Sequence, residues 1–189
     1  MRVAVTGTIG SGKSMVIAII KELGYKTLSC DDIAHKLQEK GQKGYLAISK
    51  AFPEVIDNET INRLKLAEIV FNDEEQLAKL NAMMLPLIKE ELIKAMDEEP
   101  LVFVEVPLLF ETDFDTLFES SILVYADEDI VIKRLKERGL SIDAIKKRMA
   151  SQMSSEKKKA LADYLIENNQ NLNALKNKIN EIIKEVERC

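Results

Sequence analysis

The chain has 189 residues, 46% apolar and 31% charged, with 27 Lys and Arg against 32 Asp and Glu for a formal charge of −5. That size and apolar content suit one globular domain with a substantial core, and the negative balance excludes a general binder of nucleic acid or membrane surfaces, which needs a basic face. No run approaches the roughly 20 apolar residues that cross a bilayer, Met1 to Val5 enters a strand-like segment without a cleavage-type signal, and Cys30, Cys189 and the single histidine His35 make neither a disulfide framework nor a zinc-ligand pattern. The expected setting is the reduced cytoplasm.

Along the chain, apolar runs of strand length alternate with longer segments of helical period, the pattern of a parallel α/β sheet. Val3 to Thr6 predicts a first strand and Ser14 to Leu23 a helix, closed by Gly24 as its cap. Tyr25 to Leu28 predicts a second strand. From Asp31 to Met96 the period is helical nearly throughout, broken near Gly41–Gly44 and Phe52–Asn58, and Glu98-Glu99-Pro100 stops the last of these helices. Leu101 to Val104 and Ile122 to Tyr125 read as buried strands, the second followed by a helix with Asp127 at its N-cap. A fifth apolar run, Tyr164 to Ile166, precedes a long terminal helix from about Asn171, expected to lay its apolar stripe on the sheet. No repeat or Pro/Gly/Ser-rich linker divides the chain, so residues 1–189 are expected to form one domain. Within it, about 31–97 is a helical insertion able to make a lobe and about 138–159 a charged stretch able to act as a lid.

Gly7-Thr8-Ile9-Gly10-Ser11-Gly12-Lys13-Ser14 matches G-x-x-x-x-G-K-[ST] without a gap, after an apolar strand and before an amphipathic helix. Glycines let backbone N–H groups curl around phosphate oxygens, Lys13 is placed to reach the β- and γ-phosphates, and the Ser14 hydroxyl to ligate magnesium. The helix that follows, with Met15 in its first turn, turns its positive end toward the anion. These residues predict a site for ATP and Mg2+. The motif alone does not say what is done with the nucleotide.

Asp31 and Asp32 come directly after the second strand, where an open parallel sheet presents its ligand crevice. A carboxylate there can take the proton of an attacking hydroxyl and orient it toward the γ-phosphate. It can equally cap the next helix, and one of two adjacent aspartates is free to do each.

Several segments together resemble the dephospho-CoA kinases. Thr6 to Ser14 differs from the family's T-G-G-I-G-S-G-K-S only at Thr8. Ser29-Cys30-Asp31-Asp32-Ile33-Ala34-His35 stands in place of D-A-D-x-I-A-R, and Ile61-Asn62-Arg63-Leu64-Lys65-Leu66 is similar to L-D-R-x-x-L. Val106-Pro107-Leu108-Leu109-Phe110-Glu111 reproduces V-P-L-L-F-E, Arg148 to Ser154 resembles R-[IML]-x-x-Q-x-S, and Ala162 to Asn168 resembles A-D-x-V-I-D-N. The similarity spans nearly the whole chain in order. It departs at Ser29 for the first aspartate, at His35 for the arginine, and at Leu85-Pro86-Leu87-Ile88, which lacks the histidine of H-P-[RLK]-I. All three departures fall on the acceptor side.

The resemblance implies transfer of the ATP γ-phosphoryl to the ribose 3′-hydroxyl of dephospho-CoA, the last step of coenzyme A synthesis. It implies Asp31 as base, Arg138 and Arg148 as lid cations among Arg134, Lys146 and Lys147, and Asn168 as an adenine contact. It also implies Ile33, His35, Arg63, Pro107, Leu108 and Glu111 on the acceptor side, although Glu111 reads equally as a helix-start residue. Glu105, at the end of the third strand, reads as an acidic neighbour of magnesium or as an alternating polar position. The expected fold is a three-layer P-loop nucleoside-triphosphate hydrolase domain with a parallel five-stranded sheet, a helical acceptor lobe and a lid. Neither nucleic acid, membrane nor an obligate protein partner is expected. Two other readings stand beside this one: a P-loop kinase for another metabolite alcohol, and a non-catalytic ATP-binding relic.

Overall fold

In the computed structural model the described residues are 1–97 and 99–188. They divide into two compact units, residues 1–29 with 99–188, and residues 30–97. Glu98, expected to help stop a helix, and Cys189 lie outside the described residues.

The first unit is built on five parallel strands, β1 (Arg2–Gly7), β2 (Lys26–Ser29), β5 (Val102–Glu105), β6 (Ser120–Tyr125) and β7 (Tyr164–Glu167), in the order β2-β5-β1-β6-β7. Each expected strand is present, no end displaced by more than two residues. Parallel strands bury both faces under crossover helices and therefore read as continuous apolar runs; Val3, Ala4, Val5, Val102, Phe103, Val104, Leu123 and Val124 are all fully buried.

On one face lie helices α1 (Lys13–Glu22) and α9 (Leu172–Val186). Val16, Ile19 and Ile20 of α1 and Leu175, Ile179, Ile182, Ile183 and Val186 of α9 join Val3, Val5, Phe103, Ile122, Val124 and Ile166 in one core. The spacing of the five α9 residues follows the helical period, so the terminal helix covers the sheet as expected. Helix α1 ends in a Schellman motif. Gly24 takes φ +93, its N–H bonds the Lys21 carbonyl at 3.0 Å, and the Tyr25 N–H bonds that of Ile20 at 3.3 Å.

The remaining helices of this unit are α6 (Glu128–Glu137), α7 (Ile142–Ala150) and α8 (Ser155–Leu161). Val131 and Leu135 of α6 share a small core with Ile145 of α7. Asp127 does occupy the N-cap position of α6, but its side chain makes no capping bond. The link there is instead from the Asp127 N–H to Asn169 Oδ1, 2.8 Å.

The second unit gathers α2 (Cys30–Leu37), α3 (Lys43–Ala51) and α4 (Arg63–Asn72) against the 23-residue α5 (Glu74–Met96). Where the sequence predicts a loop around residues 52–58, the chain makes a 3-10 turn at Pro53–Val55 and then a two-stranded hairpin, β3 (Ile56–Asp57) and β4 (Thr60–Ile61). Its two turn residues, Asn58 and Glu59, both have positive φ, 47° and 62°. That is the geometry of a type I′ turn, and with Glu in place of the usual Gly the turn leaves little trace in the sequence.

Candidate active site

The phosphate loop joins β1 to α1. Gly7 is required where the chain leaves the sheet, because a Cβ there would stand 2.2 Å from the Val124 carbonyl oxygen of β6. At the other end Gly12 precedes α1 with φ +101. Asparagine, aspartate or serine side chains cap α4, α5, α7, α8 and α9. No side chain caps α1, so its first turn presents backbone N–H groups of the kind that receive phosphate.

Lys13 curls back over the loop, donating to the Gly7 and Thr8 carbonyls at 2.9 and 3.1 Å. Ser14 is exposed, and its hydroxyl donates to Glu105 Oε1 at 3.1 Å. Parallel pairing in register Val5↔Glu105 is what brings that carboxylate beside the start of α1. A hydroxyl next to a carboxylate is a hard-oxygen pair suited to magnesium, which takes few protein ligands and keeps several waters. No group of three or more His, Cys, Asp or Glu able to hold a metal exists among the described residues.

Beside the loop lies a cavity of about 370 Å3 lined by Gly10, Gly12, Met15, Arg138 and Asn168, among others. Arg138 and Arg148, the expected lid cations, are both exposed, at the end of α6 and on α7. Asn168, expected to touch adenine, is buried, and its Nδ2 donates to the Ser11 carbonyl at 2.8 Å. Its own carbonyl accepts from Arg134 at 2.9 Å, and the same guanidinium reaches the Ser11 carbonyl at 3.3 Å. Both groups thus brace the loop, Asn168 from the end of β7 and Arg134 from α6. On the neighbouring strand, burial raises the Tyr125 phenol above its ordinary pKa, with Glu167 and Asp127 adding to the shift.

The segment after β5 carries Pro107, half-buried, and Leu108, exposed. Glu111 lies in a turn and starts no helix. Its Oε1 pairs with Lys158 Nζ at 2.9 Å and accepts the Met153 N–H at 3.0 Å. Gln152, the residue before Met153, accepts the Ile9 N–H of the phosphate loop at 3.0 Å. Sequence reasoning passed over Lys158, which sits among three consecutive lysines, and matched Gln152 only as the Q of R-[IML]-x-x-Q-x-S, with no role of its own. Arg134 stood among the lid cations without a role of its own.

In the second unit, α2 begins at Cys30, so Asp31 and Asp32 lie inside its first turn and neither occupies the N-cap position. Asp31 is exposed, Ile33 half-buried and His35 exposed. Arg63 opens α4, exposed, directly after Asn62, whose Oδ1 caps the helix by accepting the N–H groups of Leu64 and Lys65 at 3.1 Å each. Cys30 is buried at the first position of α2.

The model of the dephospho-CoA kinase family matches residues 1–174. The dephospho-CoA kinase of Oceanobacillus iheyensis is 35% identical, the match covering 96% of this chain and 96% of that protein. A Thermus thermophilus crystal structure superposes with a TM-score of 0.87 at 32% identity, covering 98% and 97% of the two chains. The dephospho-CoA kinase of Campylobacter jejuni does so with 0.74 at 33% identity, covering 98% and 96%. The five-stranded parallel sheet with its flanking helices is that of a P-loop kinase, and the chain belongs to the dephospho-CoA kinase family.

Proposed function

We propose that this enzyme transfers the γ-phosphoryl group of ATP to the ribose 3′-hydroxyl of dephospho-CoA, forming coenzyme A in the last step of its synthesis. The observation that carries this reading is the Ser14–Glu105 pair at 3.1 Å beside Lys13, at the uncapped start of α1, in a chain of this family.

In this reading the loop amides from Gly7 to Met15 hold the phosphates, and Lys13 leaves its two carbonyls to bind the β- and γ-oxygens. Ser14 and Glu105 are the residues that would hold magnesium. Bound there, the ion would supply neutralisation of charge on the phosphates. Residues 30–97 form the acceptor lobe. Asp31 accepts the proton of the attacking 3′-hydroxyl at its carboxylate and aims the oxygen at the phosphoryl group. Ile33, His35, Arg63, Pro107 and Leu108 contact the acceptor, while Glu111 acts on it through the wall it braces. The segment at about 138–159 serves as lid, bringing the exposed Arg138 and Arg148 to the equatorial oxygens, where charge builds in the transition state. Closure also excludes water, which limits hydrolysis of ATP. Use of ATP as the phosphoryl donor supports a cytoplasmic setting.

The test is ATP consumption by purified protein with magnesium, with and without dephospho-CoA, and mass analysis of the product. ADP release that depends on the acceptor, with coenzyme A formed, is expected. Ser29, His35 and Leu85 favour a second reading, a kinase for another alcohol; nucleotide binding with no coenzyme A formed, and turnover on a different acceptor in an alcohol panel, would select it.

A further inference from the structure

Helix α8 contains three consecutive lysines, and the middle one, Lys158, is fully buried while Lys157 is exposed. An ammonium is costly to bury unless it is paired and hydrogen-bonded. Lys158 meets that requirement with Glu111 Oε1 at 2.9 Å and the Pro107 carbonyl at 3.4 Å. The other carboxylate oxygen of Glu111 is buried without a hydrogen-bond partner. An apolar pair of similar volume fills such a space at least as well, so packing alone does not account for charge here.

The connections of the pair supply a reason. The Glu111 oxygen that meets Lys158 also receives the Met153 N–H at 3.0 Å. The adjacent residue, Gln152, receives the Ile9 N–H at 3.0 Å. Three stretches distant in sequence are thereby tied in one chain of polar contacts: the loop after β5, the phosphate loop, and helix α8 with the turn that leads into it from α7. Each link is to a backbone group or a charge, so each fixes a position as well as an orientation.

We propose that Lys158 is a positioning residue for phosphoryl transfer. It holds Glu111, Glu111 holds the Met153 backbone, and Gln152 is thereby held on Ile9, which keeps the phosphate loop in its working shape. The inference rests on the kinase reading above for its catalytic consequence, but its structural part stands independently.

The experiment combines amide exchange with steady-state kinetics on Lys158→Met, Gln152→Ala and the double variant. Both single changes are expected to speed exchange of the Ile9 amide while the β1 amides keep their protection. Each is expected to lower kcat/KM for ATP about tenfold, and the double variant no further than the worse single change, because both cut the same chain. Unchanged Ile9 exchange in Lys158→Met, or losses that multiply in the double variant, would overturn the proposal. If Lys158→Met does not fold, Glu111→Gln with Lys158→Met removes both charges and is read the same way. A wild-type protein that makes no coenzyme A would sink the proposed function, whereas the Ile9 exchange comparison would still decide whether Lys158 holds the loop.

Discussion

The side-chain amide of Asn168 occupies the ground a Cβ on Gly12 would need, with Nδ2 only 2.1 Å from that position. The end of β7 therefore presses directly on the phosphate loop, and Arg134 fastens the same junction by bonding both Ser11 and Asn168 carbonyls. Gly12→Ala is expected to weaken nucleotide binding at least tenfold, since it meets this clash and also a φ of +101°, where a side chain costs about 1–2 kcal/mol. Gly12→Ala with Asn168→Ala removes the clash but keeps the backbone strain, so it should recover binding only in part. Titration with a fluorescent ATP analogue measures both; wild-type affinity in Gly12→Ala would refute the close approach.

Ser14→Ala and Glu105→Gln each remove one oxygen donor from the pair at 3.1 Å. Both should raise the magnesium concentration for half-maximal rate by about tenfold or more, with little change in nucleotide affinity measured without magnesium. A magnesium titration of the initial rate checks this. Equal magnesium dependence in Glu105→Gln and wild type would leave Glu105 as an ordinary polar position of β5.

Asp31→Asn keeps the shape of the side chain and removes its basicity. Loss of a positioned base typically lowers turnover by about 10²–10⁴-fold, so kcat should fall in that range while the ATP dissociation constant stays put. If kcat is unaffected, Asp31 is not the base, and Asp32 becomes the next residue to change.

Glu90 on α5 accepts from Lys43 at 2.8 Å and from Lys94 at 2.8 Å. These bonds, Lys43 first, lower its carboxyl pKa from 4.5 to about 2. A depressed folded-state pKa stabilises the protein above the unfolded value, and that contribution is lost as pH falls from 4.5 toward 2. The group is solvent-screened, so the effect is small. Glu90→Gln should flatten the pH dependence of unfolding in that window and leave the rest of the profile unchanged, as followed by circular dichroism. An unaltered slope there would mean the two lysines do not hold the carboxylate in solution.

Much of the site is written locally. Eight consecutive residues, Gly7 to Ser14, carry the phosphate chemistry, and the strand and helix on either side are legible from their apolar periods. Asp31 could be singled out because chain continuity alone puts it two residues past β2. The turn at Asn58 and Glu59 was not legible, since only its backbone dihedrals mark it and Glu is no usual signal for them. Nor could capping by Asp31 be judged, because the outcome depended on whether α2 began at Cys30 or two residues later, at Asp32.

Composition and short-range pattern thus decided the class of fold, the five strands, the nucleotide loop and the family, because each rests on residues close together in the chain. Strand order lay beyond them: only the pairing of β5 beside β1 brings Glu105 to Ser14, across 91 residues. The same holds for Lys158. Its neighbours are chemically identical, and it is the angular position of each residue around α8 that turns one ammonium into the interior toward Glu111 while Lys157 stays in water. A charge has the same symbol buried or solvated, and its partner is chosen by packing over long sequence distances.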